Sequence, residues 1–356
     1  MSAQTLSPTV KLAVLRLPLA CWQKPLEARG SARQPASQLS GPARLTPWLC
    51  AAATLFAQGP ALALTFKVTF DANSATPPAA FAASFASVLQ LYESHYTDPI
   101  TINLNVGWGE INGIPVAPNA LGQSLTNEQA VRYATLKSAL TSDAKSVPDA
   151  IAVSSLPAVD PTPGINFAMS NAQAKALGLL AANATGVDGW VGFNSRAEYF
   201  FDQALGGTGA QFDFFAIASH EVSEVMGRYG FGQNGGGDSL IDLFRYLTGD
   251  GQRDLAPTRG IANYFSIDGG LTRINSFNVA ASGDLSDWAG DTLDAYNASP
   301  AVRTVLPTSA ADLILMDVLG YDSTAAVPEV PPGVLLAEGI AAMLGLLKLR
   351  ARSIKH

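Results

Sequence analysis

Patterns of hydrophobic and polar residues mark four segments of the chain as predicted β-strands. They are LTFKVTF (64–70), PITINLNVGWG (99–109), DGWVGFNS (188–195) and NYFSIDGG (263–270), the last running into a turn. The first two flank a segment, 78–95, whose apolar residues recur at helical spacing after a proline start. This strand–helix–strand opening indicates a mixed α/β domain.

Further helices are predicted from the same helical spacing. The central one is QFDFFAIASHEVSEVMGRYG (211–230), which we expect to be largely buried because one face carries Phe212, Phe215, Ser219, Val222 and Met226. Other helices are predicted from Thr126, where TNEQ resembles a capping box, at 239–247, and at 308–322, where Gly320 stops the helix. The stretch 145–165 is rich in Pro and Asp and predicts a loop. We therefore expect an α/β (α+β) fold, with one domain over 64–323 containing a mixed sheet and this central helix.

Charge is distributed unevenly along the 356 residues. The formal net charge is -7, yet residues 64–329 contain 12 of the 22 Lys/Arg and 27 of the 29 Asp/Glu. So acidic a domain argues against a nucleic-acid partner, because phosphate contacts require stripes of Lys and Arg. Both cysteines, Cys21 and Cys50, precede this domain, so a thiol nucleophile, a cysteine metal site and a disulfide are excluded from it.

The N-terminal segment has the plan of a secretory signal. In ARLTPWLCAAATLFAQGPALALTF (43–66), Arg44 precedes an apolar run and an Ala61-x-Ala63 site. We expect cleavage by signal peptidase after Ala63, so that 1–63 is an N-terminal extension with a signal peptide. A buried core helix is the alternative, which the proline and the A-x-A site directly after the run disfavour.

The C-terminal segment, 324–356, resembles the PEP-CTERM sorting signal of Gram-negative bacteria. Val327-Pro328-Glu329 is followed by an apolar stretch from Val334 to Leu347 and then by a basic tail. Val330 stands where the second proline of the signal belongs, and Glu338 interrupts the apolar run. The resemblance implies export to the cell envelope or the extracellular space and cleavage by an exosortase-type enzyme. It also implies contact with the membrane only through a helix formed by this apolar stretch. An amphipathic terminal helix is the alternative.

The stretch ASHEVSEVMGR (218–228) carries the candidate chemistry. Side chains four residues apart lie on the same face of a helix, so His220 and Glu224 can bind one metal ion. Glu221 then projects to the side, where it can hold a water molecule as a general base, as in the H-E-x-x-H zinc hydrolases. The alternative is an ordinary ion pair between His220 and Glu224 on a solvated helix face.

A catalytic zinc site needs a third protein ligand. The position at which a metzincin has its last histidine is Gly230, which has no ligand side chain. In other zinc peptidases the third ligand is an acid on a helix further along the chain. Asp242 fits this arrangement, and Asp238 is the second choice. Asp242 could equally be paired with Arg245 or Tyr246.

Two carboxylates and one imidazole would neutralise the double charge of the ion and acidify a bound water less than a histidine-rich site does. Zinc is the first choice of metal, and the oxygen ligands also suit manganese or iron. Tyr246 or Arg228, close to the motif in sequence, could stabilise the oxyanion of the transition state. Four further acids, Asp284, Asp287, Asp291 and Asp294, are spaced for one helical face or for a calcium loop, and a solvated acidic face is favoured.

The order of motifs is similar to that of an exported bacterial family of zincin-like metalloproteases, whose members often carry PEP-CTERM tails. The resemblance covers 64–323, and its most specific piece is the HExxEVMGR motif at 220–228. It implies that Glu224 in place of a histidine is the form usual in the family, and that the substrate is a protein or peptide. The alternatives are an inactive surface-binding protein with a zincin frame and a structural protein associated with exopolysaccharide.

Overall fold

The computed structural model describes residues 63–230, 238–290 and 293–324, and all of them belong to one compact unit. The predicted signal peptide, up to residue 62, and the predicted sorting tail, from residue 325, lie outside the described residues. In the described part of the chain the fold is mixed α/β, with six α-helices and several sheets. The helices are α1 (Phe81–His95), α2 (Tyr133–Asp143), α3 (Val147–Ser155), α4 (Asn171–Ala176), α5 (Phe214–Val225) and α6 (Ala310–Val318).

Fourteen strands are formed by the described residues. They are β1 (Thr65–Phe70), β2 (Thr101–Trp108), β3 (Glu110–Ile111), β4 (Ile114–Pro115), β5 (Gly122–Thr126), β6 (Glu128–Val131), β7 (Phe167–Ser170), β8 (Gly189–Phe193), β9 (Tyr199–Phe200), β10 (Phe212–Asp213), β11 (Asp238–Ser239), β12 (Arg245–Leu247), β13 (Asn263–Phe265) and β14 (Asn275–Ser276). The largest sheet has the order β1-β2-β8-β5. Its first three strands are parallel, and β5 pairs antiparallel with β8 at one edge.

Helix α5 packs against β5 and β8 of the main sheet and against α1. It begins after Asp213, whose side chain accepts a hydrogen bond from the backbone NH of Ala216 (3.3 Å) and so caps the first turn. Phe214 is fully buried against Phe193, with ring centroids 4.9 Å apart, and against Phe81 at 5.2 Å. The prediction of a largely buried helix is confirmed, and this packing fixes the helix rigidly on the sheet.

The chain between β5 and β7 differs from the sequence prediction. Residues from Thr126 do not start a helix, because Gly122–Thr126 pairs with β8 and Glu128–Val131 pairs antiparallel with β7. Pairing with distant strands outweighs the local capping signal there, and α2 begins only at Tyr133. The predicted loop at 145–165 contains α3, which starts with a capping box between Ser146 and Asp149 and has a proline in its first turn.

The segment predicted as a helix at 239–247 divides into two elements. Leu240–Phe244 is a short 3₁₀-helix, and Arg245–Leu247 forms β12 because it pairs antiparallel with β13. No helix among the described residues is long and apolar enough to span a membrane. The apolar stretch predicted to do so, 334–347, is outside the described residues.

Candidate metal centre

Three side chains converge at the C-terminal half of α5. His220 Nε2 lies 3.4 Å from Glu224 Oε1, one turn along the helix, and 3.1 Å from Asp287 Oδ1. Within the described ranges, these residues are the one group of three or more His, Cys, Asp or Glu whose ligand atoms all lie within 4.8 Å of one another. The predicted convergence of His220 and Glu224 is therefore present in the structure.

Asp287 lies in the loop that follows β14. Its backbone carbonyl accepts a hydrogen bond from the NH of Asn278 (2.7 Å), and its Oδ2 accepts one from the NH of Asp284 (3.1 Å). The next residue, Trp288, is fully buried and donates its indole NH to Asp312 on α6 (2.6 Å). This anchoring places the Asp287 carboxylate over α5.

Asp242, the third ligand expected from the sequence, is not part of this group. Its carboxylate accepts hydrogen bonds from Arg245 Nε (3.0 Å) and from the hydroxyl of Ser239 (2.8 Å), and its side chain is fully buried. Asp242 thus caps the 3₁₀-helix and neutralises Arg245, the pairing held open as its alternative. Geometry favours Asp287 as the third ligand. Asp238, the second choice, lies in β11 and does not join the group either.

The ligand atoms are oriented by neighbouring groups. His220 Nδ1 lies 3.2 Å from the carbonyl oxygen of Ala295, which can only accept, so Nδ1 carries the proton and Nε2 is directed to the other two ligands. The hydroxyl of Ser124 on β5 donates to Glu224 Oε2 (2.6 Å) and leaves Oε1 facing His220. Such support is typical of metal sites, where each ligand is held by a second hydrogen bond.

The donor set fits a divalent metal. In tetrahedral coordination with bonds of about 2.0–2.1 Å, ligand atoms are separated by about 3.3–3.4 Å. The separations of 3.4 and 3.1 Å around His220 Nε2 are close to this value. One imidazole and two carboxylates are ligands for zinc, and also for manganese or iron.

Glu221 lies beside the metal group, in the wall of a cleft of about 790 Å³. The cleft is lined by all three candidate ligands, by residues of β5 and by the loops 282–287 and 297–300. Glu221 packs closely on β5, since a Cβ atom at Gly122 would stand 2.5 Å from Glu221 Oε1. A somewhat larger cleft, of about 890 Å³ between α2 and residues 158–166, contains none of the predicted site residues.

Electrostatics in the cleft reflect a concentration of carboxylates. Burial, together with the neighbouring Glu224, raises the pKa of Glu221 well above its usual value. Burial and Arg228 oppose a charge on His220, but Asp287 and Glu224 outweigh them, so the pKa of His220 is also raised. Burial opposes ionisation of Asp287, but His220 and Arg228 outweigh it and lower its pKa to about 2. A dication held by Glu224 and Asp287 would offset this concentration of carboxylates.

The two residues suggested as oxyanion donors lie elsewhere. Arg228 is completely buried against Glu224 and Asp287 and does not line the cleft. Tyr246, in β12, packs under the guanidinium of Arg253, 4.8 Å from its ring centroid, and is also absent from the lining. The geometry therefore does not favour either as a group that touches a substrate in this cleft.

Of the four acids considered for calcium, the three within the described residues do not lie on one helical face. The expected solvated acidic face is wrong for Asp287 and Asp294, because both are buried. Residues 284–290 and 293–294 form turns and loops. Asp284 lines the cleft, Asp287 joins the metal group, and Asp294 accepts a hydrogen bond from the NH of Tyr296 (2.7 Å). Asp291 is outside the described residues. The sequence singled out Asp287 only as part of this cluster, and its spacing gave no signal of its role.

No protein-family model, no curated protein and no solved structure matches this chain. The resemblance to zincin-like metalloproteases thus depends on the HExxEVMGR motif and the order of motifs in the sequence.

Proposed function

We propose that this chain is a metal-dependent hydrolase that cleaves peptide bonds in exported or extracellular proteins. The observation that carries the proposal is the convergence of three ligand atoms on the floor of an open cleft, with Glu221 next to them. A purely structural ion pair would not need a cleft, and a buried structural metal site would be closed to substrate.

His220, Glu224 and Asp287 would hold the ion, with zinc as first choice and manganese or iron as alternatives. Bound there, the ion would supply Lewis acidity to polarise a carbonyl group and to acidify water. Three protein ligands leave room for further ligands, which is the pattern of catalytic rather than structural zinc sites.

Glu221 is the general base in this proposal. Its carboxylate takes a proton from a water molecule, whose oxygen forms a bond to the carbonyl carbon of the peptide. The same proton then passes from Glu221 to the amide nitrogen as the carbon–nitrogen bond breaks. Burial and the neighbouring Glu224 raise the pKa of Glu221, so its carboxylate is more basic than that of an exposed glutamate.

The shape of the cleft supports a peptide substrate. Gly122, Gln123 and Ser124 of the edge strand β5 line it, and among the described residues β8 is the one strand that pairs with β5. An extended peptide can therefore lie along β5 and pair with its backbone, which places a peptide bond beside the metal group. The acidic domain and the resemblance to zincin-like metalloproteases agree with a protein substrate rather than a nucleic acid.

Export is part of the proposal and rests on the sequence of the two ends. The N-terminal signal implies processing by signal peptidase, and the C-terminal tail implies an exosortase-type enzyme. Cleavage of the expressed chain near residues 63 and 328, read by mass spectrometry of the product secreted from a Gram-negative host, is the expected result. An uncleaved cytoplasmic product would contradict it.

Replacement of Glu221 tests the proposed reaction. We expect the full chain to bind one equivalent of zinc and to release peptides from fluorescein-labelled casein. Glu221→Gln should retain zinc and lose about 10²–10⁴-fold in rate, the contribution of a general base. Glu198→Gln, which alters an exposed glutamate, is the matched control and should behave like the wild type. Zinc binding without any cleavage by the wild type would instead support an inactive binding protein with a zincin frame.

A further inference from the structure

Arg228 is a buried cation in direct contact with two of the three metal ligands. Its Nη1 donates to Asp287 Oδ1 (2.9 Å), and its Nη2 lies 3.4 Å from Glu224 Oε1. These two oxygens are the same atoms that face His220 Nε2. The side chain is 0% exposed and does not line the cleft, so a substrate in the cleft would not touch it.

The position of Arg228 is built into the end of α5. The chain leaves the helix at Gly227 with a φ of 114°, a left-handed conformation that favours glycine, and the backbone NH of Arg228 returns to the carbonyl of Ser223 (3.0 Å). Arg228 Nε then donates to the hydroxyl of Ser223 (2.7 Å), and its guanidinium lies 4.5 Å from the ring centroid of Tyr296. The glycine and the arginine of the EVMGR segment thus act together to place one positive charge under the ligands.

The charge of Arg228 changes the total charge around the proposed metal ion. A site with two neutral histidines and one carboxylate, as in many zinc peptidases, has a ligand charge of about −1. One histidine with Glu224 and Asp287 has a ligand charge of about −2, which would neutralise the ion and weaken its Lewis acidity. The permanent charge of Arg228, beside both carboxylates, returns the local sum to about −1.

We propose that Arg228 is a positioning residue that compensates for Glu224: its charge offsets one carboxylate and preserves the Lewis acidity that a second histidine would otherwise provide. This inference rests on the proposed metal-dependent function. This positioning role for Arg228 replaces the role of oxyanion donor suggested by the sequence, because the guanidinium does not line the cleft.

The sign of a change in metal affinity distinguishes compensation from simple structural support. A neighbouring cation repels a metal ion, so Arg228→Gln should bind zinc about tenfold more tightly or better if the charge is what matters. The same variant should hydrolyse peptide more slowly, with the acid limb of its pH–rate profile moved to higher pH. A structural support would act in the opposite direction, since its loss would loosen the ligands and weaken zinc binding.

Zinc affinity is measured by competition with a chromophoric chelator, using the full chain and the variants Arg228→Gln and Arg228→Lys. Arg228→Lys keeps the charge and should remain within about threefold of the wild-type affinity, with an unchanged acid limb. Tighter binding by Arg228→Gln together with a slower, shifted reaction supports the proposal. Weaker zinc binding by Arg228→Gln overturns it.

If Arg228→Gln does not fold, Arg228→Lys distinguishes compensation by charge from a purely structural role. Lysine cannot reproduce the fork of hydrogen bonds to Asp287 and Glu224, so a purely structural role predicts a loss of more than about tenfold in zinc affinity for Arg228→Lys. Wild-type affinity and pH dependence in Arg228→Lys would support compensation by charge. Since affinity is measured without a substrate, absence of peptide hydrolysis in the wild type would overturn the proposed function and leave this test intact.

Discussion

Replacement of Asp287 by asparagine removes one anionic ligand of the proposed metal centre while it preserves the shape of the side chain. Asp287 Oδ1 lies 3.1 Å from His220 Nε2 and accepts from Arg228 at 2.9 Å. Zinc sites with four ligands bind with roughly 10–16 kcal/mol, or about 3 kcal/mol for each ligand. Asp287→Asn should therefore weaken zinc binding by about 100-fold or more.

The variant also leaves Arg228 with one fewer carboxylate, so a loss of folding stability must be separated from a loss of metal affinity. Asp242→Asn is the matched control, because Asp242 is equally buried and forms an ion pair with Arg245. Removal of one partner of a buried pair costs about 3–5 kcal/mol, so both variants should unfold at lower urea concentration. Only Asp287→Asn should lose zinc affinity.

Zinc affinity is measured by competition with a chelator, and folding stability is measured by urea unfolding of the metal-free proteins. The two measurements separate a loss of metal affinity from a loss of stability. If Asp242→Asn weakened zinc binding while Asp287→Asn bound zinc like the wild type, the third ligand would be Asp242. Asp287 would then have no role as a metal ligand.

Three further changes test other parts of the structure. Lys175→Met should destabilise the fold by about 3–5 kcal/mol in urea unfolding, because it leaves the Asp188 carboxylate, 2.5 Å from Lys175 Nζ, buried without its cation; a loss below about 1 kcal/mol would contradict this. Burial, together with the nearby carboxylate of Asp322, raises the pKa of Asp98 from 3.8 to about 7. The folded state therefore holds the proton more tightly than the unfolded state, and folding stability should fall as pH rises from about 4 to 7. Asp98→Asn should flatten that slope by up to about 1.4 kcal/mol per pH unit, and an unchanged slope would argue against the raised pKa. Gly122→Ala should retain zinc and lose about tenfold or more in peptidase rate, because its Cβ would displace Glu221; full activity would show that Glu221 need not lie against β5.

The parts of the site that lie on one helix could be predicted from the sequence. Helical spacing alone places His220 and Glu224 on one face, and the apolar residues around them predict the buried helix α5. Most of the strands and helices with strong periodicity, such as β2, β8 and α6, also appear where the pattern indicates.

The proposed third ligand, Asp287, could not be predicted, because its position depends on contacts between distant parts of the chain. Asp287 is 63 residues beyond Glu224, in a loop without regular periodicity. Its place is set by the buried Trp288, which is anchored to Asp312, and by hydrogen bonds to Asn278. Asp242 matched a known spacing, but its carboxylate is already engaged by Arg245.

The structure of the segment near Thr126 also could not be predicted from its local sequence. Its local sequence favours a helix start, yet its backbone pairs with Gly189 and extends the sheet as strand β5. That pairing also creates one wall of the cleft and brings Ser124 to Glu224, a contact that no local pattern could reveal.

The most direct test of the metal centre is a crystal structure of the full chain grown with zinc, with anomalous diffraction recorded at the zinc edge. We expect one strong anomalous peak about 2.0–2.2 Å from His220 Nε2, Glu224 Oε1 and Asp287 Oδ1, with Glu221 beside it and unbound. Absence of a peak between these three atoms, or a peak bound by Asp242 in place of Asp287, would contradict the account.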